Sequence, residues 1–93
     1  MDLSIVVPLL NEDESLPHLV AWLHRVCQGM HVEYEIVLID DGSTDGSWQE
    51  ITRLAGEDKR VKGIRFGRNY GKSPALNEGF RAAQGNVVIT MDA

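Results

Sequence analysis

The residues able to do chemistry are four carboxylates, each placed at the end of an apolar run, and one lysine in a glycine-rich turn. Glu12 closes Val-Val-Pro-Leu-Leu-Asn-Glu (6–12), Asp40 and Asp41 follow Ile-Val-Leu-Ile (36–39), and Asp92 follows Val-Val-Ile-Thr-Met (87–91). Lys72 lies in Gly-Arg-Asn-Tyr-Gly-Lys-Ser (67–73). Carboxylates brought together repel one another unless a base, a ligand or a divalent cation lies among them. Hard cations such as Mg²⁺ prefer oxygen donors and usually share them with the phosphates of a substrate. The pattern therefore points to a polar, phosphate-bearing ligand held with a metal.

Each residue has a structural alternative. Acids followed by Gly42 and small polar residues also start turns; Asp40 is assigned to the turn and Asp41 to the ligand. Two readings stay open for Glu12, ligand contact or a charge that complements a helix N-terminus. Residues 67–73 look like a phosphate-binding P-loop, but three residues rather than four separate the glycines and Pro74 follows, so the Walker pattern is absent. Lys72 beside a helix N-terminus can still hold an anion. The other reading, a strand-to-helix turn with solvated bases, suits Arg65 and Arg68 better. A dinucleotide fingerprint is missing. His18, His24 and His31 have no ligand spacing with each other or with Cys27, and Cys27 reads as a buried helix position.

These residues need elements to position them. The run 36–39 is apolar on both faces, as in the middle of a sheet covered by helices on both sides. Leu3 to Pro8 is a first strand, with Pro8 ending its pairing. Leu16, Leu19, Val20, Leu23, Val26 and Cys27 keep a 3.6 period over a helix that tolerates Pro17 in its first turn and stops at Gly29. Tyr34 to Ile39 is the second strand, and Asp45 caps a second helix that buries Trp48, Ile51, Leu54 and Ala55. Trp22 and Trp48 both sit at core or half-buried spacing. Val61 to Phe66 is a third, more polar strand suited to an edge. A third helix opens with Ser73 as cap and Pro74 first, buries Leu76, Phe80 and Ala83, and ends at Gly85. Val87 to Met91 is a buried last strand. Strand–helix repeated three times with a closing strand predicts an α/β fold, a Rossmann-like parallel sheet with alternating helices, four strands and three helices. In such sheets ligands sit at the carboxyl ends of the strands.

Composition bounds the function. Ninety-three residues make one domain at most, 43% hydrophobic and 25% charged. Residues 1–50 carry a net charge of −9 and residues 51–93 a net charge of +4, with six of the nine bases between Lys59 and Lys72. A basic segment beside an acidic pocket suits a ligand with both phosphate and metal. A pI near 5.0 and no aromatic interleaving argue against nucleic acid. One cysteine, no basic leader and no membrane-length apolar run favour a cytoplasmic location. A last strand ending in an acid should lead on to another element, so the chain reads as the opening part of a longer enzyme. Its open sheet edge invites self-association.

Val-Val-Pro-Leu-Leu-Asn-Glu (6–12), Asp-Asp-Gly-Ser-Thr-Asp (40–45), Arg-Asn-Tyr-Gly-Lys-Ser-Pro-Ala-Leu-Asn-Glu-Gly (68–79) and Gly-Asn-Val-Val-Ile-Thr-Met-Asp-Ala (85–93) together resemble the amino-terminal half of family 2 glycosyltransferases. The nearest branch is the polyprenyl- or dolichyl-phosphate sugar transferases. The resemblance implies a GT-A fold, with residues 1–93 as its nucleotide-sugar-binding part. It implies that Pro8, Leu10 and Glu12 lie in the base-contacting segment and that Ile39 and Asp41 hold base and ribose. Asp92 and Ala93 resemble the start of an Asp-x-Asp motif that binds Mg²⁺ or Mn²⁺; its second acid would be residue 94. Leu10 replaces an aromatic often found there. The acceptor implied is a lipid phosphate or, alternatively, a saccharide, and the whole enzyme would work at the cytoplasmic face of a membrane. Residues 1–93 by themselves are expected to be inactive. A phosphorylation receiver also groups acids at a sheet rim, but its acidic pair follows the first strand, whereas Asp40 and Asp41 follow the second. A folded scaffold without ligand affinity is the remaining alternative.

Overall fold

The computed structural model covers residues 1–93. It runs β1 (Leu3–Leu9), α1 (Leu16–Met30), β2 (Tyr34–Asp40), α2 (Ser47–Glu57), β3 (Val61–Arg65), α3 (Lys72–Ala82) and β4 (Val87–Thr90). The strands form one parallel sheet in the order β3-β2-β1-β4. This is the α/β architecture expected, with the more polar β3 at one edge.

Alternation along the strands builds two cores. Ile5, Val7, Leu9, Ile36 and Leu38 face α1 and α2, where they meet Leu16, Val20, Leu23, Cys27, Ile51 and Leu54. Val6, Val37 and Ile39 point the other way and meet Ala75 of α3. All seven residues of β2 are buried, which is why its sequence is apolar on both faces.

Glu35 is the exception in that run, fully buried at the amino end of β2. Its carboxylate accepts hydrogen bonds from the Ser4 hydroxyl (2.6 Å) and the Gln84 N–H (2.7 Å), and Lys62 Nζ stands 2.5 Å away. Burial alone would raise its pKa; the bonds from Lys62, Ser4 and Gln84 outweigh it and hold the carboxyl below its ordinary 4.5. The Gly85 N–H donates to the same Ser4 hydroxyl, so this network pins the turn that delivers β4.

Several local expectations shift. α1 continues through Gly29 to Met30, because His31 takes the left-handed cap conformation (φ 56°) instead. Gly46, not Asp45, is the N-cap of α2, although Asp45 Oδ1 still accepts the Ser47 N–H at 2.9 Å. α3 begins at Lys72 with Gly71 as its cap, which puts Pro74 third rather than first, still within the turn that needs no donor. The face of α3 that meets the sheet is the one carrying the small residues: Ala75 and Gly79 are buried, whereas Phe80 is half exposed. Val26 and Trp22 of α1 are also exposed. β4 is not a buried strand but the second edge, with Val87, Val88 and Ile89 open to solvent.

Candidate functional site

Chain order reverses at β1: β2 lies on one side and β4 on the other. Such a switch point is where open α/β sheets bind ligands. Even-numbered residues of β1 direct their backbone groups at β4, since Asp2 O accepts the Val87 N–H and Val6 O accepts the Met91 N–H. Pro8 is therefore due to donate on that side and has no donor. β1–β4 pairing stops at Val6–Thr90, while β1–β2 pairing continues to Leu9–Asp40. Proline ends one ladder and not the other. The gap that results is a 160 Å³ cleft lined by Pro8, Leu9, Leu10, Asp41, Lys72 and Asp92.

Five of the expected site residues thus converge: Pro8, Leu10, Asp41, Lys72 and Asp92. Ile39 does not line the cleft, being fully buried beneath α3 with Val6 and Val37. Glu12 is half-buried in the turn that precedes α1; its carboxylate accepts the Ser15 hydroxyl at 2.8 Å, and its N–H donates to the Ser47 hydroxyl. Ala93 is exposed beside Asp92 and does not line the cleft.

The acidic pair combines the expected turn role of Asp40 with an added structural role for Asp41. Asp40 is buried, and its Oδ1 accepts the Ser43 N–H at 2.8 Å, the predicted turn role; its Oδ2 has no partner. Asp41, only 6% exposed, borders the cleft but is also a structural clamp. Its carboxylate accepts the Tyr70 N–H (2.8 Å), the Gly71 N–H (3.0 Å) and the Asn69 side-chain amide (3.1 Å). The loop before α3 is held through this one side chain, and with it the position of Lys72. Gly42 completes the junction. Its φ is +82°, and a Cβ there would lie 2.3 Å from the backbone carbon of Arg68, so no other residue lets the two loops meet. Asn69 is the site residue that sequence reasoning missed. Its signal was an amide-bearing residue within a glycine-rich turn, which can bridge loops as well as start one.

A second junction ties the β1–α1 and β2–α2 loops. Asn11 adopts φ 55°, which asparagine tolerates, and its Oδ1 accepts the Thr44 and Asp45 N–H groups. Asp13 Oδ2 accepts the Gly46 N–H, while Asp45 Oδ2 accepts the Asp13 N–H. Hydrogen bonding from Ser47, side chain first, holds the Asp45 carboxyl below its ordinary range. These acids are committed to the scaffold rather than to a ligand.

Across the cleft, Lys72 Nζ lies 2.9 Å from Asp92 Oδ1, both side chains well exposed. No group of three His, Cys, Asp or Glu side chains converges anywhere in the molecule to hold a metal ion. The donor set at the cleft fits a divalent ion as one carboxylate that shares the ion with substrate phosphates, and the place beside Asp92 already holds a cation, the Lys72 ammonium. The other bases sit elsewhere: Arg65 lies over Trp48 and Arg68 over Tyr70. The largest cleft, 400 Å³, runs between α1 and α2. Its histidine, His24, is tied to Tyr34 OH (2.6 Å) and Asp58 (3.3 Å), leaving no free reactive group there.

Comparison with known proteins places the fold and the family. The chain is 44% identical over 91 residues to an undecaprenyl-phosphate 4-deoxy-4-formamido-L-arabinose transferase of Proteus mirabilis, an alignment that covers 97% of this chain and 28% of that protein. The chain thus spans little more than a quarter of the length of such curated relatives. Among solved structures, S. aureus TarS 1-349 in complex with UDP-GlcNAc superposes with a TM-score of 0.82 at 25% identity, over 99% of this chain and 26% of that one. The mannosyltransferase PcManGT from Pyrobaculum calidifontis, in complex with GDP-Man and Mn²⁺, superposes with a TM-score of 0.76 at 26% identity, over 97% and 26%. The glycosyl transferase family 2 profile matches residues 4–93, which is nearly the whole chain and includes every residue that lines the β1–β4 cleft; the chain belongs to that family.

Proposed function

We propose that residues 1–93 are the nucleotide-sugar-binding part of a glycosyltransferase that moves a sugar from a nucleoside diphosphate to a polyprenyl phosphate. The observation that carries this reading is the cleft at the β1–β4 switch point, where one lysine and one exposed carboxylate pair over an apolar floor. Pro8, Leu9 and the half-exposed Leu10 offer that floor to a base or sugar ring. Lys72, at the start of a helix whose first N–H groups have no side-chain cap, would hold the diphosphate. Asp41 keeps the loop that carries Lys72 in place. Asp92 would hold Mg²⁺ or Mn²⁺, which when bound neutralises charge on the leaving diphosphate. The P. mirabilis relative is named for an undecaprenyl-phosphate acceptor, and the two solved structures for UDP-GlcNAc and for GDP-Man with Mn²⁺.

A lipid phosphate is already anionic and attacks without a strong base. The cleft fits that requirement, because Asp41 is fully hydrogen-bonded and Asp92 is ion-paired. A saccharide acceptor would need a base from outside these residues. The lipid acceptor would bring the whole protein to the cytoplasmic face of a membrane; no helix of residues 1–93 is long and apolar enough to cross one. By themselves these residues would bind nucleotide but not transfer sugar, and they would self-associate through the open edge of β4. Calorimetric titration with UDP and GDP, with and without Mn²⁺, tests the reading: binding of at least one nucleotide, strengthened by Mn²⁺, is expected. No heat and no shift in melting temperature with either nucleotide would refute it.

A further inference from the structure

Lys72 and Asp92 come from different elements, the first residue of α3 and the segment after β4, and meet across the cleft at 2.9 Å. Lys72 is the only base that lines the cleft, and apart from the clamped Asp41, Asp92 is its only acid. We propose that Lys72 is a resident counter-ion: it fills the cation position of Asp92 while the site is empty and transfers to the diphosphate when a divalent ion takes that position. The inference rests on the nucleotide-site reading and adds to it an exchange of partners.

The physical case is one of charge and exposure. A lone carboxylate at a rim without ligand is best served by a cation, and the ammonium supplies it. Both side chains are more than half exposed, so the pair is weak and cheap to break. A divalent ion carries twice the charge and outcompetes the ammonium for the carboxylate, but only by leaving the lysine without a partner. A diphosphate restores that partner, since the freed ammonium then lies beside the uncapped start of α3. Each ligand therefore removes a cost that the other would bear, and the coupling is reciprocal. Arg65 and Arg68 do not line the cleft; their guanidinium groups lie over Trp48 and Tyr70.

This exchange predicts effects of opposite sign from one substitution. With the 93-residue chain, Mn²⁺ alone is followed by loss of the free-ion paramagnetic resonance signal, and UDP without metal by calorimetry. Lys72→Met should bind Mn²⁺ about 3–10-fold more tightly and metal-free UDP about 3–10-fold more weakly, whereas Lys72→Arg, which keeps the charge, should stay near wild type. Asp92→Asn should remove the gain in Mn²⁺ affinity when combined with Lys72→Met. Unchanged or weaker Mn²⁺ binding by Lys72→Met overturns the exchange even when UDP binding falls, as does a gain that survives Asp92→Asn. A wild-type chain that binds neither probe overturns the nucleotide-site reading itself, and this inference with it.

Discussion

Replacing Asp41 with asparagine keeps the shape of the side chain and changes only what it can accept. The carboxylate takes the Tyr70 N–H on Oδ1 at 2.8 Å, and the Gly71 N–H and the Asn69 amide on Oδ2 at 3.0 and 3.1 Å. An asparagine can offer its one oxygen to Tyr70, but its NH₂ then faces two donors. The loss of charge assistance on the retained bond costs about 1 kcal/mol, and stranding donors in a nearly buried site costs about 1–3 kcal/mol. With Asp41 only 6% exposed, little of this is screened by water. The expected total is about 2–4 kcal/mol, against roughly 5–14 kcal/mol for a domain of this length. Urea denaturation should show a midpoint lowered by about 1–2 M. Native-state hydrogen exchange should show the Tyr70 and Gly71 amides losing protection before the β1 and β2 amides do. A stability change under about 0.5 kcal/mol with unchanged protection at Tyr70 and Gly71 would refute the clamp.

Two further substitutions test the scaffold beneath the site. Gly79→Ala would place a methyl group 2.3 Å from Val6 Cγ1 and 2.9 Å from Ile39 Cδ1. Overpacking costs about 1–3 kcal/mol and helix propensity returns about 1 kcal/mol, so a net loss is expected in denaturant titration, and a stabilised variant would contradict the packing of α3 on the sheet. Glu35→Gln tests the buried network through pH. The folded pKa of Glu35 lies below 4.5, so its stabilisation is complete above the unfolded value and is lost as pH falls through the folded one. Wild type should exceed the variant in stability at neutral pH, with the difference closing below about pH 4.5; a difference that persists unchanged at about pH 3 would count against the assignment.

Local pattern was enough for the elements. The core residues Leu16, Val20, Leu23 and Cys27 follow from their 3.6 period, and the central place of β2 follows from its two apolar faces, because both depend on geometry within one segment. The start of α3 was less legible. Ser73 and Pro74 both carry helix-start signals, yet Gly71 takes the cap, since Asp41 already holds the N–H groups of Tyr70 and Gly71 from another loop. The exposure of Val87 to Ile89 is illegible for a related reason: apolarity says a strand can be buried, but only its place in the sheet decides whether a neighbour covers it.

The sequence by itself determined the alternation of strands and helices, the family and the rim at which the polar residues gather. Each of these is written in contiguous stretches whose period or motif can be read without knowing what lies beside them. Tertiary structure decided which residues share that rim. The parallel register and the missing donor of Pro8 open β1 from β4 at one end, and that opening brings Lys72 to Asp92, 20 positions further along the chain. The same convergence of loops gave Asp41, which borders the cleft, a second role as the clamp of residues 69–71, because a carboxylate is claimed by whichever donors the fold delivers to it.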